Sequence, residues 1–191
     1  MKFLSLSNLI EENGEEVIQD ILSSFSVSRN PDVEGFIHDS AIAYEKSNNA
    51  RSFIFIDESG KPLGFVSLAL TSLTLPENSS NSLKKRLRGY GRLSSDIIPC
   101  YLIGQLARFD NVDKEELPGN VIFSTIDYAV NEARRFFGGR IVSVDCVDDL
   151  VQYYINRGFV HLNKIDDLNQ MVYLIKDLTS TRNPSRHINN V

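Results

Sequence analysis

The sequence predicts a single α/β domain built on a mixed sheet, and three observations carry that prediction. Strand-like runs alternate with runs of helical period through the last third of the chain. Two apolar runs, 53–56 and 63–70, flank the turn-forming stretch Asp57-Glu58-Ser59-Gly60-Lys61-Pro62, the pattern of a β-hairpin. The run IIPCYLIGQL, beginning at Ile97, is apolar enough for burial on both faces, as in a central strand. A length of 191 residues suits one domain, expected over 1–178 with a polar tail over 179–191.

The elements follow in order. Residues 14–25 place Val17, Ile18, Ile21, Leu22 and Phe25 on one helical face, with Glu15 and Glu16 near the N-terminus, where the helix dipole favours them. Asn30 suits an N-cap and Pro31 the first helical position. Val33, Phe36, Ile37, Ala41 and Tyr44 then recur at three and four, predicting one helix that stops near Ser47. The hairpin follows, and after it a long polar segment, about 74–96, reads as an irregular loop. The central strand comes next. Gly119 to about Phe137 is a helix ended by Gly138-Gly139. Residues 140–146 are a strand, and a short helix runs from Asp148 or Asp149 to about Asn156. Strands at 159–162 and 171–175 complete the order ααββ, loop, βαβαββ.

Composition removes several classes of function. The formal net charge is −5, which excludes a uniformly polybasic nucleic-acid binder. The charge is uneven, however. Lys84, Lys85, Arg86, Arg88 and Arg92 lie close together with no acidic residue from 78 to 95, while the chain outside 82–92 carries 15 basic side chains against 25 acidic ones. That segment reads either as a solvated loop or as an arm for tRNA or another polyanion. No apolar run reaches the roughly 18 residues of a membrane span, and the acidic start does not resemble a signal peptide. Cys100 and Cys146 form no CxxC pair, and His38, His161 and His187 have no ligand spacing. We therefore expect no metal, no disulfide and a cytoplasmic protein. Asp145 reads as a strand-end carboxylate capping the next turn.

Three stretches together resemble the Gcn5-related N-acetyltransferase (GNAT) family, over roughly 33–176, and most closely its toxin-like branch. Leu102-Ile103-Gly104-Gln105-Leu106-Ala107-Arg108 resembles the strand whose exposed backbone pairs with the pantetheine arm of acetyl-CoA. Glu115-Glu116-Leu117-Pro118-Gly119-Asn120-Val121 stands where the family has its Q/R-x-x-G-x-G/A pyrophosphate loop. The chain departs from that pattern, with Glu116 at the Gln/Arg position, Val121 at the second Gly/Ala position and Pro118 lacking an N–H. Tyr153-Tyr154-Ile155-Asn156-Arg157-Gly158-Phe159 resembles the family's F-Y-x-x-x-G-F motif.

The resemblance implies a GNAT-type splayed mixed sheet with helices on both faces. It implies transfer of acetyl from acetyl-CoA to a primary amine of unknown identity by direct attack, with Tyr154 protonating the departing thiolate. It places Leu106, Ala107, Arg108, Gly119, Asn120 and Val121 at the co-substrate. Some members of the branch act on aminoacyl-tRNA, and a homodimer fits the family. The departures at the loop keep open a degenerate GNAT-fold module that binds by protein contacts. The residues show no general base.

Overall fold

The computed structural model describes residues 1–75, 81–88, 97–166 and 171–178. The expected tail over 179–191 lies outside them.

The chain opens with β1 (Lys2–Ser5) and α1 (Leu6–Asn13), continues through α2 (Glu15–Ser23), α3 (Pro31–Asp39) and α4 (Ala41–Lys46), and enters the hairpin β2 (Arg51–Ile56) and β3 (Pro62–Thr74). Then come α5 (Asn81–Arg88), β4 (Ile97–Arg108), α6 (Gly119–Phe137), β5 (Ile141–Val147), α7 (Asp148–Ile155), β6 (Val160–Asp166) and β7 (Met171–Asp177). The seven strands form one sheet in the order β1-β2-β3-β4-β5-β7-β6. Every pairing is antiparallel except β4 with β5. This is the mixed, splayed α/β architecture expected.

Helices cover both faces. Phe36 of α3 meets Phe65 of β3 edge-on at 6.3 Å on one face. On the other, the Tyr101 hydroxyl of β4 donates to the Gly138 carbonyl at the end of α6, and Lys176 of β7 reaches Asp127 of α6 at 2.7 Å. The main core runs through both layers and includes Leu22, Ile37, Phe55, Phe65, Ile126, Val144 and Leu174, all sealed from solvent. Burying each such side chain contributes roughly 1.5–3 kcal/mol.

Four expectations need correction. The expected order ααββ lacks a first strand and helix, β1 and α1: β1 pairs Phe3 with Phe55, and its Phe3 ring stacks on Phe53 at 4.3 Å. The predicted helix 31–47 is two helices, because Ser40 leaves helical geometry at φ −125°. The bend turns Ala41, Ile42 and Glu45 inward. On α2, Ile18 and Leu22 are buried while Val17 and Ile21 remain exposed. The loop 74–96 contains α5, whose Leu87 is buried in a second cluster with Leu73, Ile98, Cys100, Ile141 and Ile175.

Among the described residues, one charged group is fully enclosed and satisfied. Glu45 accepts from Arg51 Nη1 at 2.9 Å and from the Ser52 N–H at 2.7 Å. On the periphery, Lys61 of the hairpin turn holds Glu116 at 2.6 Å, and Glu116 also accepts from the Asp113 N–H. These bonds hold the Glu116 carboxyl below its usual range.

Gly64 on β3 shows how tightly the sheet centre is packed. A Cβ there would lie 2.5 Å from the Ala107 carbonyl oxygen and 2.7 Å from Leu117 Cδ2. The first is backbone in a central strand and cannot swing aside. Gly64→Ala should cost about 1–3 kcal/mol as an overpacked site, lowering Tm by roughly 2–4 °C per kcal/mol. Thermal denaturation checks this, and an unchanged Tm would show that the β3–β4 spacing yields freely.

Candidate active site

The central feature is a place where two neighbouring strands part. β4 and β5 pair only from Tyr101 to Ile103 and from Val142 to Val144. β4 then continues to Arg108 and β5 to Val147 with no further pairing between them. The cause lies in β4. Ser67 pairs with Gln105 and Leu68 with Ile103, so Gly104 is an extra residue, a β-bulge that bends the strand. The parting lies at the carboxyl ends of the parallel pair, where open α/β sheets place their ligands.

Strand alternation decides which backbone groups stay open. The Phe109 N–H donates to Leu63 on β3 at 3.1 Å. Ala107, two residues back, therefore also turns its main chain to β3, while Leu106 and Arg108 turn theirs to the gap. The Arg108 side chain bends onto the Leu117 carbonyl at 3.1 Å and fastens the segment leading into α6.

α6 begins beside this gap with no side-chain cap and no acidic residue in its first turn. The Val121 N–H is taken by the Pro118 carbonyl at 3.0 Å. Among the described residues no bond engages the N–H groups of Gly119 and Asn120. A Cβ at Gly119 would fall 2.4 Å from Arg157 Nη2 and 2.9 Å from the Tyr153 hydroxyl, so the glycine makes room for a guanidinium at the helix start. Arg157 stacks on the Tyr153 ring at 3.5 Å and donates from Nη1 to the Tyr153 carbonyl. Its Nε is sealed with no partner, and no carboxylate pairs with it among the described residues. A cation at the positive end of a 19-residue helix is electrostatically unfavourable unless an anion joins it. Sequence reasoning passed over Arg157, whose only signal was a charge immediately before Gly158.

Tyr154 lies on α7, 5% exposed, among Phe123, Phe159 and Tyr153 with ring centroids 5.4–5.7 Å away. Burial pushes its pKa above the ordinary phenol value, with smaller contributions from Cys146 and Tyr153, so it stays a neutral donor. Its hydroxyl makes no hydrogen bond among the described residues and is not one of their sealed polar atoms. Phe123 of α6 meets the Tyr154 ring edge-on and Cys146 of β5 lies near enough to act on its hydroxyl, so the Tyr154 face is also the face of α6.

Asp145 points the other way, since neighbours on a strand alternate. It is the first β5 residue past the last β4 pair, on the face of Ile141, Ser143, Cys100 and α5. It does not cap α7, which is preceded by Val147 with no side-chain cap. Its Oδ1 is sealed and unpartnered, and burial raises its pKa. An unmet buried acceptor costs about 1–3 kcal/mol.

Of the basic cluster, Lys84 is half-exposed and Lys85 exposed on α5. The side chains of Arg86 and Arg88, and Arg92 entirely, lie outside the described residues. Among the described residues no His/Cys/Asp/Glu group is arranged to hold a metal, and no helix is long and apolar enough to cross a membrane.

This geometry has counterparts among solved structures. A structure described as a bacterial toxin is similar over 93% of this chain and 91% of its own, with TM-score 0.66 and 19% identity. A tyrosine-to-phenylalanine mutant of KacT matches with TM-score 0.67 and 13% identity, covering 90% of this chain and 92% of that one. AtaT complexed with acetyl-methionyl-tRNAfMet matches with TM-score 0.59 and 16% identity, covering 80% and 85%. The chain thus shares the fold of these toxin structures. No protein-family profile and no curated protein matches the sequence.

Both cysteines are buried free thiols. Burial first, then the charges of Asp145 and Asp148, pushes Cys146 up to about 11, and burial raises Cys100. Only the thiolate reacts, so a disulfide reagent at mildly alkaline pH should label the native protein far more slowly than the denatured one. Rapid native labelling would contradict this.

Proposed function

We propose that this protein is an N-acetyltransferase that moves an acetyl group from acetyl-CoA to a primary amine. The observation that carries the reading is the unpaired edge of β4 opening beside Tyr154. The fit of acetyl-CoA rests on features of this chain. The open main-chain groups of Leu106 and Arg108 suit the pantetheine amides, with Ala107 between them fixing the strand. The free N–H groups of Gly119 and Asn120 and the guanidinium of Arg157 suit the pyrophosphate. Arg157 supplies the cation missing at Glu116, whose own charge is engaged by Lys61. Val121 contributes packing, since its N–H is already used. A related structure, AtaTR, is described as bound with AcCoA, which supports the same reading.

The co-substrate supplies an activated thioester. The Arg108 N–H, facing the gap, polarises its carbonyl. The acceptor nitrogen attacks that carbon, the C–N bond forms and the C–S bond breaks. Tyr154 gives its proton to the departing sulfur and is reprotonated by the proton shed from nitrogen. The Phe123, Tyr153 and Phe159 rings hold the phenol in place for this.

Calorimetry with acetyl-CoA should show binding that Tyr154→Phe preserves and Arg157→Gln weakens about tenfold, the loss of roughly one charged hydrogen bond. Tyr154→Phe should reduce turnover about 10²-fold. Wild-type protein that does not bind acetyl-CoA at millimolar concentration favours the degenerate binding module instead.

A tRNA-borne amine is the acceptor we favour, because α5, with Lys84 and Lys85, packs on the sheet face opposite Tyr154. Replacing both lysines by alanine should weaken tRNA binding at every sequence and lower its salt slope by about 2. Unchanged affinity and slope would remove α5 from recognition.

A further inference from the structure

Asp145 remains outside the reading so far, and its state is unusual for this protein. The interior carboxylate of Glu45 has an ion pair and a backbone donor. Asp145 has neither: its Oδ1 is sealed, and among the described residues no cation pairs with it. The carboxylate stands at the first residue past the split between β4 and β5, at the same rim as the open edge of β4. It lies on the sheet face opposite the Tyr154 hydroxyl, which is also the face that carries α5. Among the described residues, the titratable groups coupled to it are the thiols of Cys100 on β4 and Cys146 on β5, both kept protonated by burial; the side chain of Tyr173, its partner on β7, lies outside the described residues. Nothing charged in the described structure therefore satisfies it, and a half-buried carboxylate with one oxygen sealed from water, standing at the gap, is a seat for an ammonium.

We propose that Asp145 receives the acceptor's ammonium and takes its proton, which frees the amine for attack from the face opposite Tyr154. The proposal rests on the acetyl-transfer reading. The proton balance closes. The ammonium gives one proton to Asp145, which passes it to solvent. After the C–N bond forms, nitrogen sheds a second proton, which replaces the one Tyr154 gave to sulfur. One proton is released per transfer, from R–NH₃⁺ and thioester to amide and thiol.

The test compares wild type and Asp145→Asn with acetyl-CoA and methionyl-tRNA, and with methionine amide as a second acceptor. A base role predicts unchanged acetyl-CoA affinity and an equal or higher Tm, since a half-buried charge is removed. It also predicts transfer lowered about 10²-fold below the amine's own pKa of about 7.7–8.0. That loss should shrink above this pKa, where the amine is already free. The same loss at every pH, or a lowered Tm with weakened acetyl-CoA binding, marks a structural role and overturns the proposal. Full-rate transfer by Asp145→Asn overturns it while leaving the acetyltransferase reading intact. Wild-type protein that binds no acetyl-CoA and acetylates neither acceptor overturns both.

Discussion

Two parallel strands that begin hydrogen-bonded and then diverge leave a row of main-chain donors and acceptors with nothing to bind. Such groups are tolerated only where water or a ligand reaches them. In this protein the divergence is forced by one extra residue, Gly104, inserted where β4 leaves its register with β3. The site depends on that bulge. It opens the edge at Leu106 and Arg108 and brings the gap beside the start of α6. Asp145, the first β5 residue past the last pair, stands at the rim of the gap.

The split also divides the chemistry between two faces. Tyr154, Arg157 and the start of α6 share one layer, and all of them suit an anionic thioester. Asp145 and α5 share the other layer, which suits a cationic amine attached to a polyanion. In the proposed reaction the sheet separates donor from acceptor, and each arrives from its own side. On that reading Lys84 and Lys85 of α5 stand on the acceptor's side of an otherwise acidic chain.

Much of the fold was legible in the sequence. The helix Gly119–Phe137 was read with its bounds, because a 3.6-residue period ended at a Gly-Gly stop. The hairpin and central strand were equally clear from continuous apolar runs. β1 was missed because four residues carry too little period, and its place is fixed by pairing with a strand far along the chain, Lys2 with Ile56 and Ser5 with Phe53. α5 was missed because its basic residues disguise a helix that buries Leu87 against the sheet. Tyr154 was singled out by its motif spacing, and it lies buried on α7. Arg157 and Asp145 were not, since their importance lies in what they do not pair with. Only the folded arrangement shows that.

The tie from Lys61 to Glu116 has a consequence for handling the protein. Hairpin tips are ordinarily where inserted sequence is tolerated best. Here the tip is a strut: Asp57 draws the turn tight through the N–H groups of Ser59 and Lys61, and Lys61 grips the segment that carries the floor of the gap. A label or linker spliced between Glu58 and Lys61 would act on the ligand site without touching it. The strut holds while Glu116 is ionised and slackens in acid, as that carboxylate takes up its proton.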